Sequence, residues 1–358
     1  MKTWLKAYCT GLLCLLLLLV SANTFSQSKD INADGRSDLI WTNKTTGNFI
    51  LWYGADPTRT KSDFSSSGYL GGIGNIAHDA TPDFIFIHRS LPLIGVSLLS
   101  WSTDTYEYLS TSPKGYCSDM KLYIAPTKNE CKSPWTLVGL ADFDGVTVAS
   151  TNTKQDEIFM WDPATGKNDV WFFSTTTGDL GYVAVPINKT PLKWQPDSVT
   201  DFDSNGLADV IWRHKSKNTV SMLTFKKNKK GKVRINFRPL PKPPKGYEFL
   251  AAVPLDNDNV ADLVWKDDAH HVVVWGMKSN GSQKKNGKIS LEPVEAQDQI
   301  ATVGDFDNDT YMDLVWRNKS TGKVVIWYTK PNDIGAISIN KVDVTADAPT
   351  GDGWEILK

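Results

Sequence analysis

The chain has 358 residues, of which 41% are hydrophobic and 14 are Trp, and its formal charge is -1. That length and apolar share suit a soluble globular protein with a large buried core. The near-balanced charge gives no electrostatic basis for binding nucleic acid.

At the N-terminus, Lys2 and Lys6 precede an apolar run of ten residues, 11–20, followed by small and polar residues. This is the layout of a secretory signal peptide, with cleavage expected after Ala22 or Ser26. The competing reading is a membrane anchor, but the run is well short of the roughly 20 residues that a spanning helix needs. Residues 1–26 are therefore expected to be a signal, and 27–358 one exported domain with no membrane span, placed outside the cell, at its surface or in a periplasm. Cys9 and Cys14 leave with the signal, so Cys117 and Cys131 are expected to form a disulfide in an oxidising compartment. It would close a loop of about 15 residues, worth about 3 kcal/mol on the chain-entropy model.

The first acidic segment of the mature chain is Asp30, Asn32, Asp34 and Asp38, followed by Leu-Ile-Trp. The pattern recurs as Asp201, Asp203, Asn205 and Asp209 before Val-Ile-Trp, and as Asp305, Asp307, Asp309 and Asp313 before Leu-Val-Trp. A further copy keeps Asp256, Asp258 and Asp262 but begins at Pro254. Two are eroded: the segment from Asn75 keeps Asp79 and Asp83, and the segment Asp142-Phe143-Asp144-Gly145 lacks a fourth acid before Val148.

Each segment lies inside a larger repeat. Trp135, Trp194 and Tyr247 stand seven residues before a first motif position and open short apolar stretches. After the acids, Trp41 and Trp52 are eleven residues apart, as are Trp316 and Trp327, with Trp265 and Trp275 ten apart. Polar turns such as 43–48 and 318–323 separate them, so the unit reads as lead strand, acidic loop, strand, turn, strand and a more variable fourth strand. Such units at first positions 30, 75, 142, 201, 254 and 305 predict an all-β propeller of six four-stranded blades, with seven as the alternative.

The ends bear on closure. Trp354 resembles the start of a lead strand with no acidic loop after it, while Asp30 opens a loop with no lead strand before it. The C-terminal strand is therefore expected to complete the N-terminal blade, which an open solenoid would not require.

These units resemble FG-GAP/VCBS-type repeats, the integrin-like propellers in which a DxDxDGxxxD loop between two strands binds calcium. The resemblance covers the mature chain, most strongly at the three full loops. Thr310 and Val260 stand where the repeat usually has glycine. Calcium takes six to eight oxygens at about 2.3 to 2.6 Å, which acids at alternate positions of a tight loop supply. Calcium is expected at the Asp30, Asp201 and Asp305 loops. The Pro254 loop is evenly balanced between a metal site and a metal-free turn, and the Asn75 and Asp142 loops read as Asx turns without metal.

These sites read as structural, because no His or Ser partner stands at a catalytic spacing. His214, His270 and His271 fit hairpin turns. The run 226–232 reads as a solvated hairpin tip, and Asn43, Asn188, Asn280, Asn308 and Asn318 match the glycosylation acceptor pattern. The leading functional reading is a monomeric, calcium-stabilised propeller that binds an extracellular glycan or protein, with Tyr106, Tyr108 and Tyr116 as candidate ligand aromatics. The alternative is a calcium-dependent polysaccharide lyase or hydrolase, which would need acids and bases converging across blades.

Overall fold

The computed structural model describes residues 29–358 apart from 66–67, 77–81, 89–93, 103–104, 110–134, 149–152, 177–178, 188, 257 and 333–335. The signal segment, Cys117, Cys131, Tyr116, Asp79 and Asn188 lie outside the described residues, as do the side chains of Tyr106 and Tyr108. Among the described residues no helix is long and apolar enough to cross a membrane.

The described strands pair into six four-stranded antiparallel sheets. The first holds Trp354–Ile356, Leu39–Asn43, Asn48–Trp52 and Thr60–Phe64, and the second holds Gly68–Gly74, Asp83–His88, Ile94–Ser102 and Thr105–Leu109. The third holds Thr136–Ala141, Glu157–Trp161, Asn168–Thr176 and Asp179–Ile187, and the fourth Trp194–Thr200, Asp209–His214, Val220–Lys227 and Val233–Pro239. The fifth holds Glu248–Val253, Asp262–Lys266, His271–Met277 and Gln283–Pro293, and the sixth Asp298–Gly304, Asp313–Asn318, Val324–Pro331 and Ile337–Asp343.

A sheet apolar on both faces cannot stand alone in water, and here each face is buried against a neighbour. Ile40, Phe49 and Leu51 of the first sheet pack on Leu70 and Phe84 of the second. Ile85 of the second meets Ile158 and Trp171 of the third, and Phe159 of the third meets Val210 and Trp212 of the fourth. The same sharing joins fourth to fifth through Met222 and Trp265, and fifth to sixth through Val264 and Trp316. The ring closes where Phe306 and Val315 of the sixth sheet pack on Leu39 and Trp41 of the first. The molecule is thus an all-β propeller ring.

Tryptophan supplies most of the wedge. Trp41 and Trp52 sit diagonally on one face with ring centroids 5.5 Å apart, and Trp265–Trp275 and Trp316–Trp327 repeat the pairing at 5.3 and 4.8 Å. Aromatic pairs at these separations add about 0.5 to 1.5 kcal/mol beyond the area they bury.

The expected closure of the first sheet is present in register. Trp354 pairs with Asn43, two residues beyond Trp41, as Trp194 pairs with His214, two beyond Trp212. Leu357 N–H then donates to Ile40 O at 2.8 Å, and Asp38 N–H to Lys29 O at 2.9 Å, so residues from both ends share one lead strand.

The turns are closed by local acceptors. Asn43 Oδ1 accepts from the N–H groups of Thr45 and Thr46, and Asn318 Oδ1 from those of Ser320 and Thr321. Both asparagines are buried, and their Nδ2 groups donate to Asp352 O and Glu295 Oε2, so a glycan on either is incompatible with this packing. His214 Nδ1 accepts from Ser216 N–H, and His270 takes φ 65° inside a turn, which agrees with the hairpin role expected of the histidines. Residues 228–232 form the hairpin tip between the third and fourth strands of the fourth sheet, while Lys226 and Lys227, expected in the tip, are still paired in the third strand.

Candidate metal centre

All six acidic loops connect the first and second strands of their sheets, so they share one end of the ring. They are also bonded to one another. Ser37 N–H donates to Asp305 O at 2.6 Å, Asp156 to Asn75 O at 2.7 Å, Ala208 to Asp142 O at 2.7 Å and Ala261 to Phe202 O at 3.1 Å. The donor is in each case the residue before the fourth acid, and the acceptor lies at the start of the neighbouring loop. These bonds form a belt across four of the blade junctions, sixth to first, second to third, third to fourth and fourth to fifth.

Within the full loops the first acid organises the turn. Asp305 accepts from Asp309 N–H at 3.1 Å and Thr310 N–H at 2.9 Å, while Asp201 accepts from Asn205 at 3.1 Å and Gly206 at 2.7 Å. Asp30 does the same with Asp34 at 3.0 Å and Gly35 at 2.8 Å. Gly35 and Gly206 are left-handed at φ 85°, and Thr310 takes the same conformation at φ 74°. The sixth loop therefore keeps the geometry that its missing glycine put in doubt. A β-branched residue there carries strain of about 1 to 3 kcal/mol. Thr310→Gly is accordingly expected to raise the melting temperature by a few degrees, and a lower value in thermal denaturation would contradict this.

The fourth acid is a buried staple. In the sixth sheet Asp313 Oδ2 accepts from Phe306 N–H at 2.9 Å and Oδ1 from Thr329 N–H at 2.9 Å, joining loop, second strand and third strand. Asp38, Asp209 and Asp262 repeat both bonds, with Phe225 and Met277 of the third strands and Gly54, in the turn just after the third strand, as the second donors. Burial pushes the carboxyls of Asp38 and Asp262 up to about 7 and those of Asp209 and Asp313 up to about 8, against the opposing pull of these N–H groups.

The third loop departs from the sequence reading. Val148 does not start the second strand. Thr147–Val148 and Thr153–Lys154 instead make a small inserted hairpin, and the second strand begins at Glu157. Glu157 Oε2 accepts from Phe143 N–H at 2.7 Å, the bond that Asp313 makes to Phe306. Glu157 is therefore the fourth acid that the segment lacked. Its carboxyl is raised to about 9, first by burial.

Three groups of acids converge: Asp142, Asp144 and Glu157; Asp201, Asp203 and Asp209; and Asp305, Asp307 and Asp313. In each group one oxygen per residue lies within 4.8 Å of the others. Oxygens about 2.4 Å from a common centre lie no more than about 4.8 Å apart, so each group has the spacing that one divalent cation would require. The third residues of the full loops are held locally: Asp309 Oδ1 and Asn205 Oδ1 accept from the N–H two residues on.

Two other loops, the first and the fifth, have a protein cation. Arg59 reaches Asp34 at 3.0 Å in the first loop, which is not among the converging groups. In the fifth, where Pro254 removed the first acid, Lys284 bonds both Asp256 and Asp258, the latter at 2.7 Å. Cations also border the converging groups: Lys154 lies 3.1 Å from Asp142, Lys226 contacts Asp203, and Lys330 stands 3.6 Å from Asp309.

No protein-family model matches the chain, and no curated protein matches it in sequence. Among solved structures it is similar to the WD40 domain of SCAP from fission yeast, with 12% identity and a TM-score of 0.40 over 86% of this chain and 74% of that one. It is also similar to BBS1N in complex with ARL6DN, with 11% identity and a TM-score of 0.36 over 94% of this chain and 93% of that one. The propeller assignment rests on the strand pairing and the shared cores described above.

Proposed function

We propose that the chain is an exported, six-bladed propeller of the FG-GAP/VCBS type, stabilised by calcium, that binds an extracellular glycan or protein. The observation that carries this reading is the belt of loops with three converging carboxylate groups. Buried carboxylates repel one another and lose hydration, and a divalent cation offsets both costs. Asp142, Asp144 and Glu157 would hold one ion, Asp201, Asp203 and Asp209 a second, and Asp305, Asp307 and Asp313 a third. In the first and fifth loops Arg59 and Lys284 supply positive charge from the chain itself. A rigid belt then holds the blades in register while the surfaces between loops remain for a ligand.

Calorimetric titration of chelated protein is expected to give about three calcium equivalents, one for each converging group. Glycan and extracellular-protein arrays probed in calcium are expected to yield a ligand without turnover. No calcium uptake would overturn the metal part, and turnover of a bound polysaccharide would overturn the binding part.

The raised carboxyls also set a pH dependence. Unfolded carboxyls titrate near 4, so between about 4 and 8 the folded chain binds more protons, and without metal its stability falls as pH rises. Calcium displaces those protons, so its stabilising effect grows with pH. The rise in melting temperature on adding calcium is expected to be larger at pH 8 than at pH 5.5. Equal rises would contradict the coupling.

A further inference from the structure

Residues 213–247 contain twelve Lys and Arg and no acid, and residues 269–291 contain four Lys and no acid, in a chain whose formal charge is only -1. The fold brings these segments together along the outer seam between the fourth and fifth sheets. Arg238 pairs with Met222, which belongs to the core shared by those two sheets. Strand alternation places Arg234, opposite Lys226, on the same side. From the fifth sheet, Lys288 pairs with Trp275 of that same core. Its Nζ donates to Tyr247 Oη at 2.8 Å and lies 5.3 Å over the Tyr247 ring.

Like charges facing one another across a seam are unfavourable unless something anionic lies between them. Arg238 is also under-satisfied: its Nη2 makes a long 3.4 Å bond to Ser279 O across the seam, and its buried Nε has no acceptor among the described residues. Arg234 and Lys288 are exposed, so the mouth of the seam is open to solvent. We infer that this seam binds a linear anionic polysaccharide, with Arg234, Arg238 and Lys288 facing its carboxylates or sulfates and Tyr247 beside them for a sugar face. Arg234 and Arg238, four residues apart on one strand with Lys288 across the seam, stand about 13 Å apart, a spacing that an extended charged polymer can span. The choice of polysaccharide over nucleic acid rests on the proposed reading of the chain as an exported ligand-binding propeller.

The test is retention of the full mature chain, in calcium, on immobilised heparin, followed by titration with heparin oligosaccharide. Arg234→Glu/Lys288→Glu is expected to weaken binding by about tenfold or more, with a shallower salt dependence. The charge-matched Lys319→Glu/Lys323→Glu pair, in a sixth-sheet turn, is expected to change it by less than about twofold. Failure of the native chain to bind at about 0.1 M salt, equal losses in both variants, or tighter binding of single-stranded DNA of equal charge would overturn the inference. A neutral glycan or protein ligand unaffected by Arg234→Glu/Lys288→Glu would overturn this seam while leaving the broader proposal standing.

Discussion

Deleting Trp354 to Lys358 is expected to destabilise the protein by roughly 5 kcal/mol or more, or to leave it insoluble. Among the described residues, the segment supplies the strand partner on one side of Leu39–Asn43, all five residues of which are buried. Its removal forfeits the burial of Ile356, worth about 1.5 to 3 kcal/mol. It also strips Leu357 N–H from Ile40 O and leaves the Arg317 guanidinium without the Trp354 carbonyl it now meets at 2.7 Å. Trp354 itself is only half-buried, so the aliphatic side chain and the backbone pairing carry more of the effect than the indole. The edge left exposed is the Leu39–Asn43 strand, whose Leu-Ile-Trp half is apolar, and its unpaired backbone favours intermolecular pairing. Shortening the 228–231 hairpin tip to a two-residue turn removes similar backbone from solvent-facing residues and is expected to be near neutral. Thermal denaturation and sedimentation of the two variants decide the matter, and an unchanged melting temperature for the C-terminal deletion would mean that the terminal strand does not hold the ring.

Closure was readable in the sequence because strand register is a counting rule. Trp354 and Trp194 stand at the same distance from their acidic loops once the ends are joined, and the pairing of each lands two residues past the next Trp. The full loops were readable for a related reason, since acids at alternate positions before an apolar strand leave few alternatives. The basic partners were not readable. Arg59, Lys226 and Lys284 come from the third or fourth strand of their sheets or the loop between them, and their reach to Asp34, Asp203 and Asp258 depends on hairpin lengths and bulges that motif spacing does not contain. The seam cations were visible as charge runs, but only the pairing of Arg238 with Met222 and of Lys288 with Trp275 sets them face to face.

Glu157 was hidden by the inserted hairpin, which moves the fourth acid from its usual eight residues after the first to fifteen. One signal was available. Glu157 precedes Trp171 by fourteen residues, as Asp38 precedes Trp52 and Asp313 precedes Trp327. Counting backward from the third-strand Trp finds the acid that counting forward from Asp142 misses. The two apolar residues after it, Ile158 and Phe159, are buried like those after Asp38.

Replacing Glu157 by Gln should separate its structural role from a metal role. Gln keeps an oxygen to accept Phe143 N–H, so the staple survives, and it removes a buried carboxyl whose pKa is raised to about 9. In excess chelator Glu157→Gln is therefore expected to melt at or above the native temperature, because folding no longer has to protonate a carboxyl that is ionised in the unfolded chain. In calcium the order reverses: the native chain gains RT ln(1 + [L]/Kd) from the third-loop ion, about 2.7 kcal/mol at a hundredfold excess over Kd, and the variant loses most of it. Glu157→Ala differs from both, since it leaves Phe143 N–H buried without an acceptor and is expected to cost about 1 to 3 kcal/mol whether or not calcium is present. The crossing of the native and Gln melting curves between chelator and calcium is the decisive result. If Glu157→Gln shifted the melting temperature by the same amount in both, Glu157 would be a staple alone, and the Asp142 loop would revert to the metal-free turn that its spacing first suggests.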